Sequence, residues 1–112
     1  MPRTLPRATV NPDPHVTDMQ VLGRLVRNRR AQIAMRIDDA ARLMGVSKTT
    51  LSRLENGQSV GLDKLFIVLE GLGMTLLLFD HQTGGFVLRQ RRMRLEQQKQ
   101  EQEARASDEQ ET

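Results

Sequence analysis

The residues best suited to chemistry lie in the stretch GVSKTTLSRLENG, residues 45–57. On a helix advancing about 100° per residue, Lys48, Thr49, Ser52 and Arg53 share one face, while Ser47, Leu51 and Leu54 point the other way. Lysine and arginine donate hydrogen bonds to guanine, and threonine offers a hydroxyl or meets a thymine methyl. The unpaired N–H groups at the start of such a helix also favour phosphate. Most polar helix faces are simply solvated. Here a glycine turn, a capping serine and an apolar register set this face apart, and they point to contact with a nucleic-acid duplex.

Other chemistry fails on composition or spacing. The chain has no Cys, which removes disulfides, thiolate metal sites and cysteine nucleophiles together. His15, in a proline-rich stretch, and His81, at an expected turn, lack metal-ligand spacing with each other or with carboxylates. Asp38 and Asp39 are adjacent, so on a helix they diverge and read as first-turn charge. Gly84-Gly85 lacks the lysine and following helix of a phosphate loop. Ser47 and Ser52 have no histidine in register. The expectation is a non-enzymatic protein with no cofactor and no metal.

The elements that must position this face follow from the pattern. Residues 1–16 hold all four prolines and read as a flexible arm. Thr17 and Gln20 have capping-box spacing, and Leu22, Leu25, Val26 and Ile33 recur at helical period after them. IDDAARLM is a second helix, closed by Gly45; Ser47 caps a third, which ends at Asn56-Gly57. A fourth, LDKLFIVLEGLG, turns Leu62, Leu65, Leu69 and Leu72 inward. MTLLLFD reads as a short strand, HQTGG as a turn and FVLR as a second strand, so residues 74–88 form a strand or hairpin. Residues 89–112 are nearly all polar, basic then acidic, and read as a solvated, partly helical tail. Two short helices joined by a tight glycine turn and packed on a preceding helix make a helix-turn-helix, whose second helix enters the major groove.

Residues 21–73 resemble the XRE, or lambda-repressor-like, helix-turn-helix family, on the strength of LGRLVRNRR, DDAARLMGVSKTTLSRLENG and LDKLFIVLEGLG. The resemblance implies a mainly α domain of four to five helices over residues 17–73, followed by a short C-terminal β-strand or hairpin. Lys48, Thr49 and Arg53 fall where family members contact bases, and Ser52 shares their face. Thr50 and Asn56 fall at phosphate positions, with Ser47 at the helix start. Arg30 and Glu55 fall where the family often has a structural ion pair. Two departures stand out: Arg36 and Ile37 replace a hydroxyl residue and a phosphate-binding Gln, leaving Arg36 as the electrostatic substitute. Ala40 replaces a core Leu, so Leu43 or Met35 must fill the gap.

Within the family the likeness is greatest to HipB-type antitoxins, in which a dimerising strand follows the helical domain. This implies a homodimer through Met74, Leu76, Leu77, Leu78 and Phe79, double-stranded DNA with an inverted-repeat operator, and a HipA-like serine/threonine kinase toxin as partner. Both faces of residues 74–79 are apolar, so such a strand independently needs a partner, either FVLR of the same chain or the strand of a second copy. The basic run Arg89, Arg91, Arg92 and Arg94 is a surface left for phosphate or an acidic partner. Alternatives are a free-standing regulator without a toxin, or a helix-turn-helix that serves protein interaction. The balance of 17 Lys+Arg against 14 Asp+Glu leans mildly toward anionic partners. With no long apolar run and no apolar leader at the N-terminus, a cytoplasmic, nucleoid-associated protein is expected.

Overall fold

The computed structural model describes residues 7–110; the first six residues of the expected arm and the last two of the tail lie outside the described residues. Among the described residues five helices follow in order: α1 Met19–Gln32, α2 Ile37–Met44, α3 Lys48–Glu55, α4 Leu62–Gly71 and α5 His81–Gln110. They fall into two units that divide between Leu76 and Leu77.

The boundaries are set by local chemistry. Helix α1 begins one residue after the expected cap: Asp18, not Thr17, accepts the Val21 N–H at 2.9 Å. Its carboxylate also suits the positive end of the helix dipole. Helix α3 starts on Ser47, whose Oγ accepts the Thr50 N–H at 3.0 Å. The first four helices all end in one geometry, with a residue in the left-handed region and two N–H groups folded back onto the last carbonyls. After α4, Gly73 donates to the Glu70 carbonyl at 3.1 Å and Met74 to the Leu69 carbonyl at 2.9 Å. Gly45 and Gly57 do the same work after α2 and α3. After α1 that place belongs to Ala34, at φ 53°, with Ala34 and Met35 donating to Ala31 and Arg30.

The core of the first unit gathers Val26 from α1, Ala40 and Ala41 from α2, Leu51 and Leu54 from α3, and Leu65, Val68 and Leu69 from α4 with the following Leu72. Ala40 is fully buried, and Met35, Ile37 and Met44 pack around the cluster. Leu43 does not fill that space: it is 70% exposed, on the far side of its short helix. Leu62, expected inward, is equally exposed, because the first turn of α4 overshoots the edge of the core. Ile33, at the C-cap of α1, is only partly covered, at 37% exposed. Gly23 is buried where α1 crosses the end of α3. A β-carbon there would collide with the Leu54 carbonyl and come within 2.8 Å of the Glu55 carbonyl, so only glycine permits this approach.

The arm has its own seat. The Asn28 side chain makes two bonds with the Thr9 backbone, accepting from its N–H at 2.6 Å and donating to its carbonyl at 3.0 Å. Gln32 donates to the same carbonyl at 3.1 Å.

The expected C-terminal strand or hairpin is overturned. Among the described residues there is no strand: residues 74–80 have no regular structure, and HQTGGFVLR opens α5. The cause is a helix cap hidden in the expected turn. Asp80 Oδ1 accepts the Thr83 N–H at 2.7 Å, and its own carbonyl accepts from Gly84 at 2.8 Å. That satisfied first turn offsets part of the cost of Gly84 and Gly85 inside a helix, about 1 kcal/mol each, and the run of strong helix formers from Arg89 onward carries the rest. Helix α5 then runs through a sequence whose outer half is almost wholly polar and exposed.

Candidate nucleic-acid interface

Helix α3 is held from behind by apolar contacts and by one buried charge pair. Leu51 and Leu54 are fully buried, one helical turn apart, and fix the rotation of the helix. Arg30, near the end of α1, meets Glu55 edge to edge: Nη2 to Oε1 at 2.7 Å and Nε to Oε2 at 2.8 Å. Its remaining Nη1 donates to the Met35 carbonyl at 3.0 Å, tying in the α1–α2 loop. Both residues are buried, so each charge depends on the other for compensation. Gly57 adds a backbone contact against the first turn of α1: a β-carbon there would lie 2.8 Å from Gln20 Cγ.

With its back fixed, α3 presents Lys48, Thr49 and Arg53 to solvent and leaves Ser52 half-exposed. The face is pre-bonded. Lys48 Nζ lies 3.1 Å from Asp38 Oδ1 at the start of α2, both side chains about half-exposed. Arg53 donates from Nη2 and Nε to the Ser59 carbonyl, at 3.0 and 3.4 Å. Neither contact is legible in the sequence. Asp38 reads there only as helix-start charge, and a backbone carbonyl carries no signature of residue type.

At the α3 N-terminus, Ser47 Oγ donates to Thr50 Oγ1 at 2.8 Å while capping the Thr50 N–H. The Lys48 and Thr49 N–H groups stand at the same exposed end, as helix starts require. Asn56 turns back instead of outward, donating from Nδ2 to the Ser52 carbonyl at 2.8 Å. Arg36 occupies the N-cap of α2 in extended conformation, exposed, with no side-chain cap bond.

The expected dimerisation residues divide between the units. Met74 packs partly against the core of the first unit, and Leu76 is 41% exposed. In the second unit Leu77, Leu78 and Phe79 are exposed, Leu78 at 88%. Phe79 packs beside the first turn of α5, where a β-carbon on Gly84 would sit 3.6 Å from its Cβ.

A family model described as a helix-turn-helix domain matches residues 21–79, more than half of the chain. No curated protein matches. Among solved structures, a HipB–O4 20mer complex is similar at 22% identity, with a TM-score of 0.56 over 60% of this chain and 96% of that one. A HipA–HipB–O2–O3 complex is similar at 22% identity and a TM-score of 0.55, with the same coverage. These likenesses concern the fold. From the match over residues 21–79, and in agreement with the geometry around α3, the chain belongs to the helix-turn-helix domain family.

Proposed function

We propose that this chain is a sequence-specific DNA-binding repressor, acting as a homodimer and as the antitoxin of a HipA-like serine/threonine kinase whose operon it controls. The observation that carries the reading is the outward polar face of α3, fixed from behind by Leu51, Leu54 and the Arg30–Glu55 pair. A helix so anchored enters a major groove as a rigid body and spends little ordering entropy on binding. Lys48, Thr49, Ser52 and Arg53 then meet base edges, while Arg36, Ser47 and Thr50 meet phosphates, joined by Asn56 when its amide swings off the Ser52 carbonyl. Names of similar structures pair HipB with O2 and O4 20mers and with HipA, which supports operator and kinase partners for this chain too.

Dimerisation in this reading uses the exposed Leu77, Leu78 and Phe79 of the second unit as an apolar surface for a second copy and requires no strand. Two-fold symmetry gives an inverted-repeat site with half-sites about 34 Å apart. The kinase takes the flanks left free by the duplex and the basic segment around Arg89 to Arg94, so that a ternary complex forms.

The test is duplex binding at two salt concentrations, on the promoter region of the chain's own gene and on random DNA. A steep salt slope with at least a thousandfold preference for the promoter fits the proposal. Binding that is weak, salt-insensitive and equal on both would reject it. Copurification of the native chain with a kinase separates the antitoxin from a free-standing regulator.

A further inference from the structure

The two cations on the outer face of α3 are held in different ways. Lys48 sits against a carboxylate, Asp38, which offsets its charge. Arg53 sits against a neutral carbonyl, that of Ser59, which directs the guanidinium without neutralising it. The chain reverses between them: Gly57 takes φ 77°, and the Gln58 N–H closes on the Arg53 carbonyl at 2.9 Å. Ser59 is thereby brought back over the Arg53 side chain. Its carbonyl accepts from Nε and Nη2, the side-on edge of the guanidinium. The end-on edge, Nη1 with the second Nη2 proton, keeps two near-parallel N–H donors. Guanine offers a matching pair of acceptors, O6 and N7, on its major-groove edge.

We propose that the Ser59 carbonyl positions Arg53 end-on to read a guanine in the DNA site, which makes Ser59 a positioning residue for base selection. The inference rests on the reading of α3 as the DNA-reading helix. It adds an order between the two cations: Arg53, aligned in advance and with no carboxylate against it, discriminates bases, and Lys48, whose charge Asp38 offsets, contributes less. A guanidinium whose rotamer is already fixed loses less freedom on contact, so a mismatched acceptor cannot be met by swinging the side chain.

The experiment selects duplexes from a library with a randomised core, using the full chain. Binding is then measured to the selected duplex, to the same duplex with 7-deazaguanine at each guanine in turn, and to random DNA. Three proteins are compared: the wild type, Arg53→Lys, and a semisynthetic chain carrying the α-hydroxy analogue of Val60. The last converts the Ser59 carbonyl to an ester carbonyl, a weaker acceptor. The expected result is one guanine per half-site whose N7 removal costs the wild type about tenfold. Arg53→Lys should show a severalfold smaller loss, because an ammonium lacks the planar pair of donors, and the ester chain a smaller one too. A selection that enriches no sequence overturns the parent reading and this one with it. Enrichment with no guanine dependent on Arg53 overturns the base assignment alone. A dependent guanine with the ester chain discriminating as well as wild type overturns the positioning by Ser59. If the ester chain fails to fold by circular dichroism, the Arg53→Lys comparison still decides the base assignment, and nitrogen relaxation of the Arg53 Nε–H in the free wild type decides the positioning: an ordered guanidinium supports it and a freely mobile one overturns it.

Discussion

Arg30 and Glu55 meet through two parallel hydrogen bonds of 2.7 and 2.8 Å, closing the last turn of α1 onto the last turn of α3. Their burial makes the pair a structural commitment, because either charge left alone inside the unit would be uncompensated. Glu55→Ala or Arg30→Ala is expected to cost about 3–5 kcal/mol in urea unfolding, and replacing both by apolar residues of similar volume much less. Additive single costs in that cycle would mean that the pair is not coupled.

Gly23 sets how closely α1 can approach that same end of α3. Gly23→Ala is expected to cost about 2–3 kcal/mol, because the new methyl meets backbone carbonyls that cannot rotate away. A thermal melt that matches wild type would show that α3 can shift freely.

Ala34 stands at the left-handed position that glycine fills after the other three helices. Ala34→Gly should therefore stabilise the chain by roughly 0.5–1 kcal/mol, the relief of steric strain exceeding the entropy added to the unfolded state. A destabilised variant in chemical denaturation would contradict the strain.

Much of the site is legible in the sequence because its determinants are local. Gly45 and Ser47 end one helix and cap the next within three residues, and Leu51 and Leu54 set the rotation of α3 by spacing alone. Arg30 and Glu55, 25 residues apart, are suggested only by the family resemblance, since no periodicity joins them. The need for glycine at position 23 is tertiary and leaves no local mark. The region after Gly73 misleads for a different reason. LLLF has strong strand character and Gly84-Gly85 looks like a turn, yet the Asp80–Thr83 cap decides for helix.

Asp80 makes that cap sensitive to acid. Its carboxyl is held below the ordinary value of 3.8, chiefly by the Thr83 backbone N–H and then by the Thr83 side chain. The folded form holds its proton less tightly than the unfolded one, so the cap is fully stabilising above that ordinary value. It is lost as pH falls through the lower, folded value. Amide chemical shifts of residues 81–85 should therefore stay helical to about pH 4 and drift only below it, and Asp80→Asn should abolish the drift. Drift centred near neutral pH would assign the switch to another group.

The central claim is that the outer face of α3 selects a DNA sequence, and the difference between cognate and random binding tests it most directly. Equilibrium titrations of Arg53→Ala, Lys48→Ala and Thr50→Ala against both duplexes give that difference. The account expects Arg53→Ala to lose roughly 1–3 kcal/mol of cognate preference and Lys48→Ala less, while Thr50→Ala weakens both duplexes alike. Equal losses on cognate and random DNA for all three would contradict it.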